Sequence, residues 1–310
     1  MNHLHVHLIN YLKLRRGLGF KLHSAEMLLR SSFIRFAEAK RAQFVTTKLA
    51  LQWATQPTNI KRVQSGSRLA TVRRFAEYLS TVDPRTEVPS PKLLPYHIRR
   101  RPPQLYRNED VRRFVEEAHQ IAPSNPIKGP TLGTLLGLLA TTGMRVSEAL
   151  NLDCGDVDWD REQLTIRLAK GNKTRLAPLH TSTVAALRRY ASTRDTIYPK
   201  RKNPAFFVWD GGVRLGYDSV NRWFLLVSCQ TGLRKPGDQR GPRVHDLRHH
   251  FAIQTMLQWY RTDTDVEARL PELSTYLGHV HVRDTYWYLS AVPELLQLAT
   301  QRLQPKEAGR

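Results

Sequence analysis

Six prolines fall between Asp83 and Leu105, at positions 84, 89, 91, 95, 102 and 103, and they constrain this chain more than any other feature. Each lacks a backbone N–H donor and fixes φ at about −65°, so a regular helix cannot run through the stretch. The chain is therefore expected to fold as two modules joined by an extended strap. Arg99, Arg100 and Arg101 follow one another within it. A solvated surface linker and a basic segment laid along a polyanion both fit that composition.

Charge favours the polyanion. The 310 residues hold 48 Lys and Arg against 27 Asp and Glu, a formal net charge of +21. Such an excess predicts a nucleic acid as partner before a membrane surface. Residues 1–85 carry 15 of the basic residues and only four acids, Glu26, Glu38, Glu77 and Asp83, so the first module is the denser cation, suited to clamping a DNA backbone. Cys154 and Cys229 are the only cysteines, too few for a disulfide framework. The most apolar run, Leu132 to Met144, is short and broken by three glycines, so no membrane span is expected. With no signal-peptide core at the start, the cytoplasm is the default location.

Periodicity makes the first module helical. Ser67 is placed to cap a helix with Leu69, Val72, Ala76 and Leu79 on one stripe, leaving Arg68, Arg73 and Arg74 largely outside it. Ser24 opens a similar run through Met27, Leu28, Ile34 and Ala37. His3, His5 and His7 alternate at the start and read as a solvated or tag-like segment rather than a metal site, since no further ligands accompany them.

After the strap, Asn108 is expected to cap a helix that turns Val111, Phe114, Val115 and Ala118 inward. Residues 131–141 are apolar nearly all round, as in a buried core helix, and Gly143 can end it in a left-handed cap that leaves Arg145 at the next helix start. Gln163 to Ala169 alternates as a strand, turns at Gly171-Asn172 and returns to Pro178, with Lys170 at the hairpin tip. Helices are expected again from Thr181, Asp218, His245 and Pro271. The fold class is mainly α with a small β-sheet: an N-terminal helical domain and a larger, mostly helical domain behind it.

Set in order, Arg145, Lys170, His245, Arg248, His279 and Tyr288 are side chains that suit attack on a phosphodiester. Two guanidiniums can grip the non-bridging oxygens of one phosphate. A tyrosine can attack phosphorus and hold the severed end as an ester. Histidines and a lysine can move protons. Glu148, three residues after Arg145, can orient it. His245, Arg248 and His249 share one helical face; a zinc pair at His245 and His249 would lack the intervening glutamate and would be crowded by Arg248. Tyr286 and Tyr288 are alternative nucleophiles on opposite sides of any helix.

The motifs T-G-M-R-V-S-E-A-L, K-G-N-K-T-R-L-A-P-L, H-D-L-R-H and L-G-H, the last followed nine residues later by Tyr288, resemble those of the tyrosine recombinases, the phage integrase family. The likeness covers nearly the whole chain, and the tail of the motif set is similar to recombinases of transposons and other mobile elements. It implies a core-binding domain over 1–85, a linker over 86–105, a catalytic domain over 106–291 and a tail helix over 292–310 that docks on a neighbouring protomer. It implies that Arg145 and Arg248 bind the scissile phosphate, Tyr288 attacks to form a 3′-phosphotyrosine, Lys170 protonates the leaving 5′-oxygen, His245 assists at the tyrosine and His279 hydrogen-bonds the phosphate, with Glu148 supporting. The stretch from Arg248 to His279 is longer than in many relatives, with an added turn around 261–266.

The partner so implied is double-stranded DNA at a specific site, held by a homo-tetramer with or without sister recombinases. Arg68, Arg73, Arg74, Arg99, Arg100, Arg101, Lys173, Arg175 and Arg243 are candidate DNA contacts. No metal and no cofactor is expected: two arginines and a lysine supply the charge, and neither an acidic cluster nor a Walker-type loop is present. A type IB topoisomerase and a catalytically silent DNA-binding protein are the competing readings.

Overall fold

The computed structural model describes residues 3–95, 104–167, 174–238, 241–262 and 264–303. The chain divides into two compact units, Met1–Arg101 and Pro102–Arg310.

The first unit is all helix: α1 (His3–Gly17), α2 (His23–Leu28), a π-helical turn over Leu29–Ile34, α3 (Arg35–Ala39), α4 (Thr47–Thr55) and α5 (Arg62–Leu79). Its core joins Leu4, Leu8, Tyr11 and Leu12 of α1 to Phe33, Trp53, Val72 and Phe75. The first residues are thus no tag-like start. His3, His5 and His7 interleave with Leu4 and Leu8, which share a face at a four-residue step and bury it. Ser67 does not cap α5, which starts a turn and a half earlier with Gln64 reaching back to the Lys61 N–H. Met27 is 67% exposed although the helical run around it was read as apolar. The proline strap stays with this unit as far as residue 94: Glu87 accepts from the Thr47 N–H at 2.8 Å, and Leu94 packs on the core.

The second unit begins with α6 (Asn108–His119) and α7 (Lys128–Thr142) and continues through the short α8 (Val146–Leu150). Strands β1 (Val157–Asp158), β2 (Gln163–Ile166) and β3 (Arg175–Pro178) follow, and then α9 (Thr181–Ile197) and α10 (Tyr217–Gln230). The strands form one antiparallel sheet in the order β1-β2-β3, in which Leu164 pairs with Val157 on one side and Ala177 on the other. Alternation put β2 in place and the return to Pro178 put β3, while the expected turn at Gly171-Asn172 lies outside the described residues; β1, only two residues long, has no alternation to read. As its apolar surface requires, α7 is central, and Leu135, Leu136 and Leu139 share a core with Leu164, Ile166, Phe206 and Phe207.

A second cluster closes the unit. It is built by α11 (Asp246–Arg261), α12 (Val266–Leu277), α13 (Arg283–Ala291) and α14 (Pro293–Leu303). Pro271 lies inside α12 rather than at its start. Asp265 caps the helix by accepting from the Ala268 N–H, and Pro271 sits on the exposed side, where water can serve the carbonyl it leaves unpaired. The tail helix α14 packs on its own unit: Leu295 is fully buried, and Arg302 donates to the carbonyls of Trp259, Tyr260 and Thr264.

Candidate active site

Helix ends build the site. Gly143 closes α7 at φ 59°, and a Cβ there would meet the Phe251 ring at 2.4 Å, so both conformation and space demand glycine. The chain then turns into α8 with Arg145 at its N-cap. The Glu148 carboxylate accepts from the Arg145 backbone N–H at 2.9 Å and from its guanidinium at 2.7 Å. The i, i+3 pairing read from the sequence therefore exists, and Glu148 is buried.

The C-terminus of α12 collects three arginines. Its last carbonyls have no helical partner and carry the negative end of the helix dipole. Tyr276 O accepts from Arg175 Nε at 2.9 Å, Leu277 O from Arg248 Nη2 at 2.8 Å, and Gly278 O from Arg145 Nη2 at 2.7 Å. Arg248 is also bound by Gly143 O at 2.8 Å, so it lies between two helix ends at 2% exposure. Burial, and then the charge of Arg145, lower its pKa to about 10, while Tyr288 and Glu148 act in the other direction. At that value the guanidinium stays charged at neutral pH, which makes it a desolvated cation ready for an anion.

Tyr288 lies on α13 at 2% exposure, within the core cluster of α11 to α14, whereas Tyr286 faces out at 45%. Its hydroxyl is 2.8 Å from His249 Nδ1, and the two rings meet edge to face at 5.4 Å. The family resemblance implies that His245 assists at the tyrosine. Both histidines share a face of α11, their rings 4.8 Å apart, but it is His249 that reaches the phenol. Burial first, and the neighbouring His245 second, push the His249 pKa down to about 3, so the ring beside the phenol is neutral. Desolvation by the surrounding site and the charge of Arg248 also lower the pKa of His245, although that residue remains open to solvent. His279 Nδ1 meets the buried Thr285 hydroxyl at 2.7 Å, which orients the ring.

Of the candidate DNA contacts, Arg175 turns inward. Its guanidinium meets both Glu148 oxygens, at 3.0 and 2.8 Å. Arg68 stacks on the Trp53 ring at 3.9 Å and donates to its carbonyl, and Arg73 is mostly covered beside Glu77. Arg74 is exposed, and Arg243 is half-exposed while donating to Asp246. Lys170, Lys173 and Arg99 to Arg101 lie outside the described residues. Among the described residues no three His, Cys, Asp or Glu side chains are grouped to hold a metal, and no helix is long and apolar enough to cross a membrane.

Two buried or half-buried guanidiniums thus share one helix end, with a phenol on the adjoining helix. Comparison with known proteins gives the family. Residues 105–294 match the phage integrase family. Over 304 residues the chain is 43% identical to y4rB of Sinorhizobium fredii, described as an integrase/recombinase, covering 97% of this chain and 96% of that one. It is 29% identical over 245 residues to the tyrosine recombinase XerC of Corynebacterium glutamicum, covering 79% and 73%. In fold it is similar to the Tn1549 transposon integrase solved with transposon right-end DNA, at TM-score 0.64 and 14% identity over 98% and 99% of the two chains. The chain belongs to the phage integrase family and is a site-specific tyrosine recombinase, an enzyme of DNA recombination.

Proposed function

We propose that this recombinase cuts and rejoins duplex DNA through a 3′-phosphotyrosine intermediate, without metal or ATP. The observation that carries it is the delivery of Arg145 and Arg248 to consecutive carbonyls of one helix end, with the Tyr288 phenol on the next helix. In this reaction the Tyr288 oxygen bonds to phosphorus and the bond from phosphorus to the 5′-oxygen breaks. The phenolic proton leaves through the histidine side of the site, where His245 is the solvent-open acceptor, and Lys170 gives the leaving oxygen its proton. Arg145 and Arg248 meet the non-bridging oxygens bidentately, and His279 hydrogen-bonds one of them. Reversal by a hydroxyl of another strand reseals DNA. The ester conserves the bond energy, so no nucleotide need be spent.

Tyr288 is packed against His249 in the single chain, so attack requires α13 to shift and release the phenol. Homo-tetramer formation on synapsed duplexes is the setting proposed for that release. The cationic first unit, with Arg74 outward, and the half-exposed Arg243 are the proposed DNA contacts among the described residues, together with Lys173 and the arginines of the strap.

A nicked duplex that loses a short fragment on cleavage traps the ester. Wild type and Tyr286→Phe should accumulate the covalent adduct, and Tyr288→Phe should bind the duplex but form none. An adduct in Tyr288→Phe that is absent from Tyr286→Phe would assign the nucleophile to the other tyrosine.

A further inference from the structure

Arg175 is among the candidate DNA contacts of the sequence, yet its side chain is only 14% exposed and fully engaged with protein acceptors. It holds both oxygens of Glu148 and the Tyr276 carbonyl, thereby joining β3, α8 and the end of α12. Glu148 is thus shared by two guanidiniums. A carboxylate with one arginine would be drawn into a bidentate pair with it. With Arg175 occupying both oxygens, Arg145 engages Glu148 by a single guanidinium contact and turns its other Nη to Gly278 O.

We propose that Arg175 is a positioning residue: by saturating Glu148 and pinning the α12 end, it holds Arg145 in the orientation that receives the scissile phosphate. This rests on Arg145 being a phosphate ligand. Two further observations agree. Burial would raise the Glu148 pKa, but the hydrogen bonds from Arg175 and from the Arg145 backbone outweigh it and hold the carboxylate at about 2. Gly278 is left-handed at φ +67°, and a Cβ there would come within 3.0 Å of the Arg175 guanidinium, so the turn is shaped around that side chain.

The alternatives, a phosphate contact and a merely structural residue, predict different data. The full-length chain would be assayed as wild type, Arg175→Ala, Arg175→Lys and Arg145→Ala. Substrates would be nicked duplexes carrying the cleavage site, with either the natural phosphate or a methylphosphonate at the scissile position. Methylphosphonate removes the charge that the second guanidinium neutralises, so a defect in aiming Arg145 should shrink on it.

Both Arg175 variants should bind DNA with the wild-type salt dependence. They should cleave the phosphate roughly 10- to 100-fold more slowly, below the roughly 10²–10³ lost with an oxyanion donor itself. Their deficit, like that of Arg145→Ala, should fall within about threefold on methylphosphonate. Lysine should not rescue, because it cannot span both carboxylate oxygens.

The proposal is overturned if Arg175→Lys restores cleavage while Arg175→Ala reduces the salt slope by about one, the signature of a phosphate contact. It is overturned equally if the deficit is the same on both substrates, or if both variants melt below the assay temperature, since Arg175 then acts on folding alone. Wild-type cleavage by Arg145→Ala would instead remove the underlying phosphate-ligand assignment.

Discussion

Half-buried beside cations, His249 ties the protonation of one imidazole to the stability of the fold. Its folded pKa, about 3, lies below the ordinary value of 6.5. As pH falls, the unfolded chain takes up the proton first. The contribution is therefore complete above about 6.5 and is lost as pH falls toward 3, at up to about 1.4 kcal/mol per pH unit. Asparagine at 249 does not titrate in that window. Denaturant titrations between pH 7 and 4 should show wild type losing stability more steeply than His249→Asn, and equal slopes would contradict a neutral, half-buried His249. The same residue marks a boundary of what sequence can convey. Spacing puts His245 and His249 on one face of α11, but which ring meets the phenol depends on where α13 packs. Arg145 and Glu148 were legible because they stand at i, i+3 within one turn. The partnership of Glu148 with Arg175 spans 27 residues and depends on strand register, so the sequence leaves Arg175 among the candidate DNA contacts.

Element boundaries followed local chemistry more closely than partners did. Gly143 ended α7 where a residue of positive φ was needed, and the apolar character of 131–141 matched a central helix. Errors arose where one residue has two uses. Proline suits a helix start, but Pro271 is tolerated on the exposed side of α12, and serine suits a cap, but Ser67 lies within α5. The tail is the instructive case. The resemblance implies a tail that docks on a neighbouring protomer, and the tail's apolar residues include Leu295, Leu296, Ala299 and Leu303. In the single chain Leu295 joins the cluster that also buries Tyr288, while Leu296 stays 55% exposed. Leu295→Ala should therefore cost about 2–5 kcal/mol of unfolding free energy, the usual range for emptying a core leucine site. Leu296→Ala should change it by less than about 0.5 kcal/mol, as for an exposed position. Urea unfolding of the two variants checks this, and a silent Leu295→Ala would mean that α14 does not close the cluster in solution.

At the scale of the whole molecule, charge and chemistry are divided between two units. The first 85 residues hold about half of the net charge of +21, and the tyrosine and its arginines belong entirely to the second unit. Family membership was legible in the order of the motifs, and the helix ends that three of them encode bring Arg145, Arg248 and Gly278 together. The carbonyl cluster at the end of α12 was not legible, since backbone acceptors leave no trace in residue identity. The withdrawn phenol was equally hidden. Both follow from how α11 to α14 pack, and both bear on whether one tyrosine becomes linked to DNA. Peptide mapping of the trapped adduct measures this directly. Trypsin should release the segment from Asp284 to Arg302, which contains both Tyr286 and Tyr288. Fragmentation should place a 3′-linked nucleotide phosphate on Tyr288, whereas a nucleotide on Tyr286, or on any residue outside this segment, would contradict the account.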